Sequence, residues 1–471
     1  MPQSGDAPQT IKKPGGVLNA LGLHRPELRA WAMYDFGISA MQTTITTAVF
    51  PIFFVKVAGA NLPGTGGAQW WANANTIGAV MIAILAPILG ALADFKAAKK
   101  KFLIGFLLLG VSSTAAMFFI AKGQILYAAI VYILSLAGAT GSMTFYEALL
   151  PHIASEDEMD RVSTAGYALG YVGGGILLAL NLAWIQNPGM FGLPSGAGLT
   201  SSQATLPARL AFVSVAVWWA VFAIPVLRKV AEPKRMVELD ESLANATLGK
   251  SIISAFTRLA ETVRELRGYK QAFLAMLAFT IYNDGIQTIV KMASVYGTEL
   301  GIGEADLIIA ILAVQFIGIP CAFAFGALAG VFGTKRSIFV GLCMYAGICV
   351  FAYYMNPNWK SYPIKYQFFT LAGLVGLVQG GTQALSRSLF ARMIPKHKSG
   401  EFFGFYSVFE KFGGILGPLL FAIALGQTGS SRVAILSIIL FFIVGGGILA
   451  VVNVGAGEKA ARAADARTIS A

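Results

Sequence analysis

Asp35, Glu147, Asp284 and Glu410, with Lys291, Arg387 and Lys411, interrupt long stretches of otherwise apolar sequence. A charged side chain at the centre of a bilayer costs about 2.5–3.5 kcal/mol on insertion scales, so such groups face water, a ligand or one another. Their spacing is helical. Asp35, Ser39, Gln42 and Thr46 fall at i, i+4, i+7 and i+11 and share one helix face, and Thr140, Thr144 and Glu147 repeat the idea. Asp284, Gln287, Lys291 and Ser294 form a third stripe, and Gln379, Gln383 and Arg387 a fourth. Carboxylates, amides and hydroxyls on one face can hold a small polar solute and, at a desolvated carboxylate, a proton. The same stripes can instead pair with neighbouring helices, and for Asp35, Glu147 and Arg387, near the ends of their stretches, gating or structural pairing serves as well. Asp284 lies near the middle of its stretch and is the expected proton-coupling residue. Lys291 is two turns further on, about 10 Å along the helix axis and out of reach of a direct ion pair.

Side chains of this kind need membrane-crossing helices to position them. Of the 471 residues, 56% are hydrophobic and 12% charged, against about 45–50% and about 25% in soluble domains. Runs long enough to cross a bilayer, about 20 residues, recur at 30–57, 69–93, 102–121, 125–149, 163–185 and 208–227, then at 271–298, 304–329, 337–355, 365–391, 402–426 and 432–453. The expected fold is an all-α integral membrane protein with twelve transmembrane helices in two pseudo-symmetric six-helix halves, 30–227 and 271–453. The stripes then fall on the first and fourth helix of each half and outline a shared aqueous pathway, with Glu410 and Lys411 on the eleventh helix as the main exception.

The halves repeat one another. GALADFKAAKKKF from Gly90 has a counterpart in GALAGVFGTKRSIF from Gly326, and YDFGIS at Tyr34 in YNDGIQ at Tyr282. Parallel six-helix repeats are a transporter signature. Gly166, Gly170 and Gly174, and Gly318, Ala322, Gly326 and Gly330, recur every four positions and permit close helix approach, either as general packing or as a sliding interface between halves. Gly78, Ala86 and Gly90, with Gly413 and Gly417, do the same on the second and eleventh helices.

The formal charge of +12 sits in short clusters at the ends of apolar runs, which argues for topology and against nucleic acid. Lys99, Lys100 and Lys101 crowd one short loop while the 186–207 loop carries no charge, so the positive-inside rule puts both termini in the cytoplasm. Residues 1–29 read as a cytoplasmic tail and 454–471 as a short frayed one. In the 228–270 linker, Ile252, Phe256, Leu259, Val263 and Leu266 repeat at helical spacing among charges, the pattern of an amphipathic helix resting on lipid headgroups. Enzyme signatures are missing: LGKS at Leu248 has Ala244 where a phosphate-binding loop needs its first glycine. His24, His152 and His397 form no metal motif, and Cys321, Cys343 and Cys349 lie inside spans as apolar packers. No cofactor is expected, and a monomer is, because two such halves already enclose one pathway.

The loop after the second span, with Gly90, Asp94, Lys96, Lys99 and Lys100, broadly fits the pattern of the major facilitator superfamily, although Phe95 replaces the usual base and Ala98 the second glycine. WAMYDFGIS from Trp31, VFPIFF from Val49, YNDGIQTI from Tyr282 and QALSRSLFARMIP through EFFGFYSVFEKFGGILGPLLF, Gln383 to Phe421, are more specific. They resemble the "unknown major facilitator" family, bacterial permeases related to the fungal autophagy-related vacuolar effluxers. The resemblance implies a secondary active transporter of the bacterial inner membrane, working by alternating access with helices one, four, seven and ten around one site. It also implies mobile contacts between helices two and eleven and between five and eight, and, by analogy, amino-acid export. The expected pathway residues are Asp35, Gln42, Glu147, Asp284, Gln287, Lys291, Gln379, Gln383 and Arg387; the expected gating residues are Gly90, Asp94, Lys96, Glu410 and Lys411. A non-transporting receptor or assembly factor on the same fold is the alternative.

Overall fold

The computed structural model describes residues 16–63, 66–67, 70–71, 73–78, 80–81, 89, 93, 98–233, 269–356, 358–412, 416–428 and 430–470. The gating candidates Gly90, Asp94 and Lys96, the amphipathic stretch of the linker, and most of the span expected at 69–93 lie outside the described residues, as do the side chains of Lys291, Ser294 and Lys411. Among the described residues there are helices and no strands.

In the first half these are α1 (Pro26–Ala48), α2 (Phe50–Ala58), α3 (Lys99–Ala116), α4 (Ile125–Ile153), α5 (Met159–Gln186) and α6 (Ser201–Lys229). The second half supplies α7 (Lys270–Glu299), α8 (Glu304–Phe332), α9 (Thr334–Tyr354), α10 (Ile364–Arg392), α11 (Ser399–Phe412), α12 (Leu416–Thr428), α13 (Ser431–Ser437) and α14 (Ile439–Val451). Among the described residues, nine helical stretches are long and apolar enough to cross a membrane, and α1 with α2, bent by 41°, makes a tenth. The span expected at 402–426 is represented by α11 and α12, on either side of residues outside the described set. Leu108, Leu126, Val217, Phe316 and Ile443 remain exposed, as a bundle packed in hydrocarbon requires: its outer face is as apolar as its core.

The local signals explain the ends. Pro26 opens α1, where its missing N–H costs no intrahelical bond. Thr200 and Gln203 form a reciprocal capping box at the start of α6. Gly333, at φ 86°, is the single residue between α8 and α9, a left-handed turn that a side chain would strain. Within α1, Met41–Ala48 is π-helical.

α5 packs on α1, and α3 on α4, within the first half; α8 packs on α10 and α7 on α14 within the second. Between halves, α5 lies against α8 and α10, and α4 against α11. Arg25 bonds the Ile153 carbonyl and Glu158, Lys100 the Leu227 carbonyl, and Lys335 the carbonyls of Ala450 and Val452. Both termini of the bundle and the linker ends therefore share one face, called the basal end below. The C-terminal residues correct the expectation of a frayed tail. They form a helix, α15 (Val454–Ser470), held because Ala461 is buried, Arg462 meets Glu156 of the first half, and Asp465 meets His397 at 2.8 Å.

Candidate substrate pathway

Arg387, near the basal end of α10, has no exposed surface. Its Nε donates to Ser163 Oγ and its Nη2 to the Ser163 carbonyl, both at 2.9 Å. Asp35 Oδ2 lies 3.4 Å from Nη1 and Glu147 Oε1 3.7 Å from it. Aromatic rings close the remaining sides, Tyr167 at 4.5 Å and Trp31 at 4.9 Å from the guanidinium carbon. Tyr146 Oη donates to the same Asp35 oxygen at 2.7 Å and stacks on Trp31. A buried guanidinium persists only where its donors and charge are met, and here three helices of the opposite half meet them.

Glycine makes this approach possible. A Cβ at Gly166 would collide with Asp35 Oδ2 and lie 3.1 Å from Arg387 Nη2; one at Gly170 would lie 2.6 Å from Ser39 Oγ. The α5 glycines thus serve the α1 contact within one half, whereas Gly318 and Gly326 of α8 receive Tyr171 and Thr164 of α5 across the two halves.

Further polar contacts tie the halves together at the basal end. Asp160 accepts from Ser388 at 2.5 Å, from Thr334 at 2.7 Å, and pairs with Arg392 at 2.7 Å. Ser163 Oγ donates to the Ala384 carbonyl, Thr144 and Ser407 share a hydrogen bond, and Ser399 donates to the Ala148 carbonyl. Sequence reasoning missed Asp160, Ser163, Thr334 and Arg392. They sit at helix ends, where a polar residue is ordinary, and only their convergence distinguishes them.

Above this floor lies a cavity of about 370 Å³. Of the expected pathway residues, Asp35, Gln42, Glu147, Gln287, Gln379 and Gln383 line it. Arg387 does not; it stands behind Asp35 and Glu147. Asp284 is buried but is not among the lining residues: it faces α12, where a Cβ on Gly417 would lie 2.8 Å from Asp284 Oδ1. Glu410, expected as a gate, lines the cavity, as do Tyr167, Tyr171 and Gln315, which had given no stripe signal. The π-helical segment of α1 alters its stripe as well. An i to i+5 turn holds more residues than an α turn, so Thr47 and not Thr46 faces the cavity, with Thr47 Oγ1 on the Gln42 carbonyl at 2.9 Å and Thr46 turned toward Met41.

A family profile described as "Vacuole effluxer Atg22 like" matches residues 73–160 and 155–462. The chain belongs to this Atg22-like family. The uncharacterized MFS-type transporter YxiO of Bacillus subtilis (strain 168) is 36% identical over 426 residues, covering 90% of the chain and 94% of YxiO. Autophagy-related protein 22 of Yarrowia lipolytica is 26% identical across 64% of the chain and 51% of its own length, so this Atg22-like chain spans about half of the fungal relative. In fold it resembles the major facilitator transporter FucP in the outward conformation, TM-score 0.66 at 13% identity over 91% of this chain and all of FucP. The proton:xylose symporter XylE gives 0.63 at 15%, over 91% and 94%. The Atg22-like chain is thus an integral membrane protein of major facilitator fold and a secondary transporter.

Proposed function

We propose that the chain moves a small polar solute, an amino acid or a close relative, across the bacterial inner membrane by alternating access coupled to protons. The basal end faces the cytoplasm in this reading, following the distribution of Lys and Arg. Asp35, Gln42, Glu147, Gln287, Gln379 and Gln383 contribute to the solute pathway, and Arg387 closes its cytoplasmic side.

The observation that carries the proposal is Arg387 on Asp35 and Glu147. The cation belongs to one half and both acids to the other, so opening the basal end separates them. Separation strands buried charge, at about 3–5 kcal/mol for a broken buried pair. A proton on one of the acids, or a solute in the cavity that takes Arg387's place, lowers that cost. Proton and solute occupancy thereby bias the same step, which is the thermodynamic content of coupling.

The purified protein in liposomes carrying a pH-sensitive dye tests this, with pools of candidate solutes added under an imposed proton gradient. Solute-dependent proton flux is expected in the native protein, loss of it in Glu147→Gln, and retention in Asp284→Asn. A proton carried by Asp284 gives the opposite pattern. Flux with unchanged pH dependence in Glu147→Gln would sink the assignment of coupling to the Arg387 cluster.

A further inference from the structure

Among the described residues, the charges lining the cavity are of one sign. Asp35, Glu147 and Glu410 reach it from α1, α4 and α11, and among the described lining residues there is no lysine, arginine or histidine. Arg387 is occupied behind the floor by Asp35, Glu147 and both oxygens of Ser163, with no exposed surface. A solute carboxylate entering the cavity meets carboxylates and no described cation. Its approach costs energy at any protein dielectric.

The neutral lining accommodates such a solute: Gln42, Gln379 and Gln383 carry amide oxygens able to accept from N–H donors. Glu410 has no hydrogen bond or ion pair with a described residue, in contrast to Glu147. One guanidinium offsets one of the three carboxylates. Among the described residues two carboxylates are then left without a cation, and a solute cation together with a proton would neutralise them.

We infer that this cavity is a receptor for a small organic cation, a solute whose amine or guanidine group gives it net positive charge, with Glu410 and Glu147 as its charged contacts. The inference rests on the transporter reading and narrows it, since a site for a zwitterion would also offer a cation to the solute carboxylate. The volume of about 370 Å³ fits a solute of amino-acid or diamine size.

Counterflow into liposomes loaded with unlabelled solute, using radiolabelled L-arginine, putrescine, choline, L-leucine and L-glutamate, tests it on the native protein. Exchange of one or more of the three cations is expected, with none of glutamate. In Glu410→Gln the half-saturating concentration of the exchanged cation rises about ten- to a hundredfold, the loss for one charge-assisted contact. Exchange of leucine or glutamate alone overturns the cation inference and leaves the transporter reading standing. Silence for all five probes, with no cation shifting the thermal unfolding of the purified protein, overturns the cation inference and counts against the transporter reading too. An unchanged half-saturation for the cation in Glu410→Gln removes Glu410 from the site.

Discussion

Arg387 and Asp35 are 352 positions apart in the chain and 3.4 Å apart in the fold, one fully buried and the other nearly so. Removing the arginine strands two carboxylates in a water-poor floor, at a cost of about 3–5 kcal/mol. Arg387→Ala is expected to lower the thermal unfolding temperature in detergent strongly. Adding Asp35→Asn to that variant should restore part of the loss, because it removes one of the stranded charges. Equal unfolding temperatures for Arg387→Ala and the native protein would mean that the pair contributes nothing to the closed floor.

The π-helical stretch of α1 makes a positional prediction. Thr47→Cys should react with a membrane-impermeant thiol reagent that enters the cavity, and a solute bound there should slow the reaction. Thr46→Cys, which is not among the lining residues, should react slowly with or without solute. A regular α-helix exchanges the two patterns, so mass spectrometry of the labelled protein decides between them.

Gly326 and Gly330 sit one turn apart in the same small-residue stripe, yet their surroundings differ. A Cβ at Gly326 collides with Thr164 of the opposite half, while one at Gly330 has nothing within 4 Å. Gly326→Ala is expected to reduce transport at least tenfold, since even about 1.4 kcal/mol against the closed conformation suffices for that factor. Gly330→Ala should transport as the native protein does, measured by initial rates at matched reconstitution.

Docking of α15 should depend on pH. Burial raises the Asp465 carboxyl, but hydrogen bonds from His397 and from the Lys396 and His397 amides outweigh it and hold its pKa below the usual carboxylate value. A group depressed in the docked state stabilises docking above its ordinary pKa, and that contribution is lost as pH falls through the depressed one. Spin labels on α15 and on the loop after α4 should therefore separate on acidification, and Asp465→Asn should separate them at neutral pH. The exposed Arg462–Glu156 pair contributes little alone.

The sequence by itself determined the material and the plan. Apolar runs of bilayer length, a charge-free loop at 186–207 and a repeated pair of halves leave few alternatives to a two-half helical transporter, because each signal is local and is read along one chain segment. It also located the polar faces of α1, α4, α7 and α10, since a buried stripe obeys helical period whatever packs against it. Those stripes supplied part of the polar lining of the cavity, Gln42, Glu147, Gln287, Gln379 and Gln383 among them.

Only the tertiary structure decided what each polar residue faces. Asp284 and Gln287 are neighbours on one helix, but the first turns to α12 and the second to the cavity, because the angle between them straddles a helix contact that no periodicity records. Arg387 looks in sequence like the next step of the Gln379 and Gln383 stripe, and in the fold it is spent on Asp35 and Ser163. Asp160 and Arg392 look like ordinary helix-end charges until the two halves meet. Charge pairing depends on distances of a few ångströms between segments hundreds of residues apart, and that information exists only once the halves have packed.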